Sequence, residues 1–259
     1  MSVAVSGKPE EIPGLLTRSF LEQSLLRLAP QDRGARPHTR IRSIVLHTTQ
    51  GKWPQVVWPG AGKPGGAAAN LHHWSHDNRC AGSHLLVDPD GVVFCAADLV
   101  DEQTWHATSI NPVSIGIEIV QRSDGALFRA QLDAVVVLVD WLTRRFRIQR
   151  QIPDVYRGPV DRLHAGGHDF VGVCGHRDQT DNRGRGDPGD AVFDALAAAG
   201  YERFNLRIDE DLERWKSRQT VLGFRGDDVD GIALDKTCDA LVAQGKRTGL
   251  WVPRPGDAL

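Results

Sequence analysis

Two histidines and one aspartate of this 259-residue chain stand where a metal ion could be held. His47 and His176 each follow a run of branched apolar residues, and Asp187 lies further along the chain, ahead of an Ala-rich stretch. A catalytic zinc ion takes three protein ligands and keeps one position open, and two imidazoles with one carboxylate suit it. Spacing alone leaves other interpretations open. The chain has 10 histidines, most histidines are ordinary surface or core residues, and Asp187 also fits a helix N-cap.

The elements that would position these side chains are short apolar strands. Residues 41–46 are predicted to form a buried strand ending at His47, and residues 171–174 a second strand that leads into Gly175 and His176. Residues 113–120 form a third predicted strand. Along it, Glu118 lies on the face opposite Ile115 and Ile117, towards a cleft or solvent.

Helices and strands alternate through the rest of residues 41–200. Further predictions are a short amphipathic helix within 20–28, an Ala-rich helix near 67–77, a hairpin of 84–87 and 92–96, and helices over 131–146 and 188–199. This order indicates an α/β fold with a mixed central β-sheet flanked by helices. The predicted organisation is an N-terminal extension over 1–40, a main domain over 41–206 and a small helical appendage over 207–259.

Composition excludes several classes of protein. The net charge of −2 argues against a dedicated nucleic-acid binder, and no apolar run approaches the roughly 18–20 residues of a membrane span. Charged residues interrupt every stretch near the N-terminus that could serve as a secretory leader, so we expect synthesis in the cytoplasm without a leader peptide. The four cysteines lack a repeated spacing and are expected to be free thiols.

Short tracts along residues 41–200 carry a more specific signal because they occur together in a fixed order. They are Ile44-Val45-Leu46-His47-Thr48-Thr49, Ser83-His84-Leu85-Leu86-Val87-Asp88-Pro89-Asp90-Gly91, Thr104-Trp105-His106-Ala107, Ser114-Ile115-Gly116-Ile117-Glu118, Gly175-His176-Arg177-Asp178 and Arg185-Gly186-Asp187-Pro188-Gly189. In these tracts the chain resembles the type 2 family of N-acetylmuramoyl-L-alanine amidases, which is related to peptidoglycan recognition proteins and phage lysozyme-amidases.

The resemblance implies a role for each matching position. His47, His176 and Asp187 would be the ligands of one zinc ion per chain, and Glu118 would take a proton from the attacking water and pass it to the leaving amine. Cys174 precedes His176 by two residues and could in principle be a fourth ligand. The family has an apolar residue there, so Cys174 is expected to pack in the core.

Two further positions are less fully defined by the resemblance. Arg185 stands where many family members have a lysine. It could stabilise an oxyanion but would serve poorly as a proton donor, and Arg183 competes for the same role. His106 matches a histidine near the substrate cleft, so we interpret it as a substrate-binding residue or as support for the site.

The function implied is zinc-dependent hydrolysis of the amide between the lactyl group of N-acetylmuramic acid and L-alanine. The partner would be peptidoglycan or muropeptides, with no nucleic acid or membrane involved, and the enzyme would act on the cell wall after lysis or delivery. The tail resembles a helical peptidoglycan-binding repeat, although a plain packing tail is the alternative. A non-catalytic peptidoglycan-binding module is the second hypothesis, since relatives that lack a zinc ligand behave so.

Overall fold

The structure is a computed structural model that describes residues 2–37, 40–49, 66–76, 80–120, 127–154, 171–179 and 186–204, together with Thr220. The chain divides into two compact units, 1–206 and 207–259. All the elements below belong to the first unit. The predicted helices of the tail lie outside the described residues, apart from Thr220.

The described part of this unit contains twelve strands and three α-helices, together with four short 3-10 helices. The strands are β1 Val3–Val5, β2 Lys8–Glu10, β3 Thr17–Ser19, β4 Arg33–Ala35, β5 Ser43–Thr48, β6 Leu85–Val87, β7 Val93–Cys95, β8 Glu102–Thr104, β9 Ser114–Ile119, β10 Gln151–Pro153, β11 Gly172–Gly175 and β12 Glu202–Phe204. The helices are α1 Gly66–His76, α2 Arg129–Phe146 and α3 Asp190–Ala198.

The main sheet has six strands in the order β11-β5-β9-β6-β7-β3. Strands β11, β5, β9 and β6 run parallel, and β7 turns back antiparallel to β6 through the Asp88–Gly91 turn. Three two-stranded sheets, β1-β2, β4-β8 and β10-β12, accompany it. The sheet is therefore mixed, as the sequence predicts.

Side chains alternate along the strands, so apolar residues project from both faces of the main sheet. Helices cover these residues on each face. On one face, the isoleucines of β9 and Ile44 and Leu46 of β5 form a core with the apolar sides of α2 and α3. On the other face, Ala67 and Leu71 of α1 pack on Leu86 and neighbouring residues. His47 and Glu118 belong to this second face, and the predicted α/β fold with a central mixed sheet is confirmed.

The N-terminal segment contributes to the same core. Val3, Ala4 and Val5 of β1 are fully or almost fully buried within the larger core cluster, and β3 pairs in parallel with β7. The helix predicted within 20–28 is wrong: only Ser24–Leu26 forms a short 3-10 turn. The backbone N–H groups of Phe20 and Leu28 donate to carbonyls of Cys95 and Ala96, so pairing with the strand replaces helical bonds.

The helix predicted over 188–199 exists but begins later than the sequence suggests. α3 starts at Asp190 with Gly189 at its N-cap, so the alternative reading of Asp187 as the N-cap is wrong. The Asp187 carbonyl instead accepts from the Arg177 N–H at 2.8 Å, and Oδ1 of its carboxylate accepts from the Thr48 N–H of β5. The other strands and helices predicted for the described residues of 41–200 are present, with ends shifted by a few residues.

Two further predictions concern cysteines and membranes. Cys80, Cys95 and Cys174 are free thiols, as expected, while Cys238 lies outside the described residues. Across the ranges that the structure describes, no helix combines the length and the apolar character that crossing a membrane requires.

Candidate active site

Strand register places three of the predicted site residues side by side. His47 of β5 is the direct neighbour of Glu118 of β9. On the other side of β5, Gly175 of β11 pairs with Leu46, so His176, one residue on, comes next to His47. The three residues therefore lie in a row at the carboxyl ends of parallel strands, where open α/β sheets commonly bind ligands.

Asp187 completes the group from the turn that precedes α3. Its Oδ1 accepts a hydrogen bond from the Thr48 N–H at 2.7 Å, and its Oδ2 lies 3.1 Å from His176 Nδ1. The residue is only 1% exposed. The backbone of β5 therefore fixes the carboxylate and directs its second oxygen at the histidines.

The donor atoms of His47, His176 and Asp187 converge closely enough to share one metal ion. One ligand atom from each residue lies within 4.8 Å of the others, and the two Nδ1 atoms of the histidines are 3.1 Å apart. Zinc bonds of about 2.0–2.1 Å place two tetrahedral ligands roughly 3.3 Å apart. The cluster thus fits a zinc ion in both donor type and spacing.

An open cavity of about 460 Å³ lies directly over this cluster. Glu118 and His106 line it beside the three donors, and Trp74 and Trp105 contribute aromatic surface. Helix α1 supplies part of the wall through Asn70, His73 and Trp74. The sequence of α1 carries His72, His73 and His76. Of these, His73 lines the cavity, and the side chains of the other two lie outside the described residues.

Glu118 faces the cavity as the alternation of β9 predicts, with 9% of its surface exposed. The buried Ser83 hydroxyl lies 3.5 Å from Glu118 Oε2 and donates towards it. The carboxylate is therefore beside the donor cluster and open to the cavity, as a group that exchanges a proton with substrate must be.

His106 lies behind His47 and lines the cavity with a small exposed edge. Its Nδ1 is 3.0 Å from His47 Nε2, and its Nε2 is 3.1 Å from the Ser114 hydroxyl. Burial, together with His84, Arg36 and His176, lowers the pKa of His106 well below its usual value. The ring is accordingly neutral, and its role as a substrate contact stays a prediction.

A layer of polar side chains, formed by the buried His84 and the half-buried Arg36, supports the loop that carries His106. Burial and the Arg36 guanidinium lower the pKa of His84, whose Nδ1 accepts from the Gly116 N–H at 3.1 Å. Arg36 also donates to the carbonyls of Asn111, Pro112 and Ser114. This layer fixes the loop that carries His106 against β9.

Cys174 packs in the core as expected from the resemblance. It is fully buried among Val45, Ala107, Ile110 and Val113, and burial raises the pKa of its thiol. The Gln179 amide donates to its sulfur at 3.3 Å. The thiol therefore stays protonated and away from the three donors.

Some expectations fall outside the described residues, and some participants were missed. Arg185 and Arg183 lie outside the described residues, so their proposed role at an oxyanion stays a prediction. Sequence reasoning assigned no role to Ser83, Ser114 or Trp74, although the two serines begin two of the ordered tracts. A serine has no spacing signal, and Trp74 shows only as one apolar position in the helix that the Ala-rich stretch predicts.

The molecule is an α/β protein with a mixed central β-sheet. A buried His-His-Asp cluster at the carboxyl ends of its parallel strands is a candidate metal site. The sequence model of the N-acetylmuramoyl-L-alanine amidase family, Amidase_2, matches residues 37–190. The chain belongs to this family.

Several solved structures resemble the chain. N-acetylmuramoyl-L-alanine amidase LysC from Clostridium intestinale is 14% identical with a TM-score of 0.43, over 74% of this chain and 99% of that one. The Ph2119 endolysin of a Thermus scotoductus bacteriophage is 20% identical with a TM-score of 0.44, over 73% of this chain and 99% of that one. Drosophila peptidoglycan recognition protein SA is 13% identical with a TM-score of 0.48, over 74% of this chain and 96% of that one. No curated protein matches the chain.

Proposed function

We propose that this chain is a zinc-dependent amidase that cleaves the bond between the lactyl group of N-acetylmuramic acid and L-alanine in peptidoglycan. Membership of the amidase family supports the reaction class. The observation that carries the proposal is the convergence of His47, His176 and Asp187 beside Glu118 on the floor of an open cavity.

The residues that would hold zinc are the two histidines, through Nδ1, and Asp187, through Oδ2. Three ligands from the protein leave one position open, which separates a catalytic site from a closed structural one. When bound, zinc would supply a Lewis acid that polarises a carbonyl and acidifies water.

Glu118 is the group proposed to move the proton. One carboxylate oxygen of Glu118 accepts a proton from the attacking water while the oxygen of that water forms a bond to the lactyl carbonyl carbon. The same carboxyl group then donates that proton to the alanine nitrogen as the carbon–nitrogen bond breaks, so Glu118 returns to its starting state. Ser83, at 3.5 Å from Oε2, helps to hold the carboxylate in place.

Arg185 is proposed from the resemblance to stabilise the developing oxyanion, with Arg183 as the competing residue. A guanidinium remains charged and donates two hydrogen bonds, which suits electrostatic stabilisation. The two substitutions Arg185→Gln and Arg183→Gln, compared on one soluble muropeptide, would show which side chain contributes to kcat.

Metal analysis and product analysis together test the proposal. We expect about one zinc per chain in the purified protein, and we expect digestion of muropeptides to release stem peptides that end in a free L-alanine amine. Mass spectrometry separates these products from those of glycosidases and peptidases. Removal of zinc with a chelator should abolish cleavage, and zinc should restore it.

Two outcomes would contradict this function in different ways. Stoichiometric zinc with intact muropeptides, at concentrations where the protein binds them, would favour a non-catalytic peptidoglycan-binding module. Cleavage of another amide bond would retain the hydrolase and change the substrate. Comparing rates on intact sacculi with rates on small anhydro-muropeptides would then distinguish a wall-degrading enzyme from one that recycles fragments.

A further inference from the structure

The ring nitrogen of His47 that points away from Asp187 begins a series of hydrogen bonds. His47 Nε2 lies 3.0 Å from His106 Nδ1, and His106 Nε2 lies 3.1 Å from Ser114 Oγ. The Ser114 hydroxyl donates to the Ile110 carbonyl at 2.8 Å. Since a carbonyl oxygen can only accept, the last bond fixes the direction of the others.

Working back from Ile110 gives the tautomer of each ring. The Ser114 proton is used on the carbonyl, so the Ser114 oxygen accepts from His106, which therefore carries its proton on Nε2. A neutral imidazole protonated on Nε2 has an acceptor at Nδ1. His106 Nδ1 thus accepts the Nε2 proton of His47, and His47 Nδ1 is left unprotonated towards His176 and Asp187.

We infer that His106 and Ser114 are positioning residues, which hold His47 in the tautomer and ring orientation that bind a metal through Nδ1. The inference rests on the proposed function, which makes that metal zinc. Groups that receive the second N–H of a ligating histidine commonly raise metal affinity in this way. Here the receiving group is a histidine ring instead of a carboxylate.

The surroundings hold His106 in this place. A Cβ at Gly116 would lie 2.6 Å from His106 Cγ, so only glycine leaves room for the ring against β9. The backbone N–H groups of His106 and Ala107 donate to Asn111 Oδ1 at 3.2 and 2.6 Å. Both ring nitrogens of His106 have partners within the protein, which makes it a support for His47 rather than a donor to substrate.

Zinc affinity of matched variants tests the inference. We expect His106→Leu, which removes the acceptor, to weaken zinc binding roughly 10–100-fold in chelator competition. His106→Asn offers an amide oxygen near the Nδ1 position and should retain most of the affinity. Ser114→Ala should fall between them. Thr143→Val removes a buried hydroxyl that bonds Tyr201 on the far side of the sheet, and should bind zinc as the wild type does.

The tautomer itself provides a readout that does not depend on activity. In long-range ¹H–¹⁵N spectra of the metal-free wild-type protein, we expect His47 to carry its proton on Nε2 and His106 to carry its proton on Nε2. Ser114→Ala should leave His106 as a mixture of tautomers. This measurement still tests the inference if His106→Leu fails to fold.

Several results would overturn the inference while leaving the proposed function intact. They are wild-type zinc affinity in His106→Leu, equal losses in His106→Leu and His106→Asn, and a His47 proton on Nδ1. A raised KM for muropeptides at unchanged zinc affinity would make His106 a substrate contact instead. Conversely, a wild-type protein that binds no zinc would refute the proposed function, whereas the spectra would still report the hydrogen-bond series.

Discussion

At the scale of single residues, Asp187 serves two partners with the two oxygens of one carboxylate. Oδ1 accepts from the Thr48 N–H and Oδ2 faces His176, so the backbone of β5 orients the oxygen that is available to a metal. A charge this deeply buried is stable only if it is paired or coordinated. Asp187 therefore contributes both to the local fold and to the candidate metal site.

We expect Asp187→Ala to lose zinc and also to lose stability. Removing one of three ligands leaves the ion under-coordinated, and the buried Thr48 N–H loses its acceptor at a cost of about 1–3 kcal/mol. Asp187→Asn keeps an oxygen for Thr48, so it should lose zinc while its melting temperature stays close to that of the metal-free wild type.

Metal analysis and thermal melting distinguish these two effects. Asp194→Ala, an aspartate of α3 whose side chain bonds Arg203 on the exposed surface, is the matched control and should change neither quantity. Wild-type zinc content in Asp187→Ala would remove Asp187 from the site.

Glu118→Gln should keep zinc and the fold but lose most of its activity. The amide has the same size as the carboxylate and can still accept from Ser83, yet it cannot take a proton from water. General acid–base groups typically contribute ~10²–10⁴-fold to the rate. The measurement is kcat on a soluble muropeptide, with Glu202→Gln on β12 as the control.

Activity of Glu118→Gln within about threefold of the wild type lies well below the usual range for a general base and would show that Glu118 has no such role. A large loss of zinc in this variant would have a different meaning. It would place Glu118 among the metal ligands, and the assignment of the three donors would need revision.

The sequence could predict which residues meet at the site but not how their protons are arranged. Ordered motifs and strand alternation bring His47, His176 and Glu118 together, because parallel strands present their carboxyl ends at one edge. The contact between His47 and His106 depends on rotamers and on space left by Gly116. Neither follows from the spacing of residues along the chain.

At the scale of elements, the hairpin β6-β7 and helix α1 are joined by one aspartate. Asp88 follows β6, and its Oδ1 accepts from the Ala67 N–H at 2.6 Å in the first turn of α1. Gly66 has a φ of +63°, and a Cβ there would collide with the Asp88 carboxylate. The hydrogen bond between Asp88 and Ala67 fixes the start of α1, and the other end of this helix lines the cavity.

Burial of the Asp88 carboxyl group makes the stability of the fold depend on pH. Burial raises the pKa of Asp88 from 3.8 to about 6, the Ala67 N–H opposes that rise, and nearby Asp90 adds to it while Arg18 lowers it. Because the folded protein favours the protonated form, Asp88 stabilises the fold most below pH 3.8, and this contribution is lost as pH rises to about 6.

Asp88→Asn should remove this dependence, since the amide does not titrate and still offers an oxygen to Ala67. Relative to the variant, the free energy of unfolding of the wild type should fall between pH 3.8 and about 6 and then level off. Urea unfolding at several pH values measures it. Asp133→Asn, an exposed change on α2, is the control. If the free energy of unfolding of the wild type and of Asp88→Asn changed in parallel with pH, the raised pKa of Asp88 would be refuted.

The sequence predicted an element well where neighbouring residues determine its structure. It predicted an element poorly where contacts with a strand far along the chain determine it. Pro89 and Gly91 are typical turn residues, so they predict the Asp88–Gly91 turn and the hairpin that it connects. The leucines within 20–28 show helical spacing, but Leu26 and Leu28 are needed in the core beside Phe94. Their backbone follows the strand edge instead, which a reading of local periodicity cannot foresee.

At the scale of the whole molecule, the first compact unit contains every described residue of the candidate site. It spans residues 1–206, which include the family match over 37–190 and all described donors. Strands β1 and β3 belong to its core, so a shortened protein should keep the N-terminus. The second unit, 207–259, carries the predicted wall-binding repeat and lies outside the described residues apart from Thr220.

Truncation after Leu206 should leave a folded enzyme that cleaves small soluble muropeptides at the full rate but digests intact sacculi more slowly. A second wall contact makes productive binding partly intramolecular, so its removal lowers avidity and leaves the chemistry unchanged. The measurement compares both rates and the melting temperature of residues 1–206 with those of the full chain. The competing hypothesis is that the tail buries apolar residues against the first unit, which would stabilise it by ~25 cal/mol per Å². Equal losses on both substrates with a lowered melting temperature would support that hypothesis and exclude a wall-binding tail.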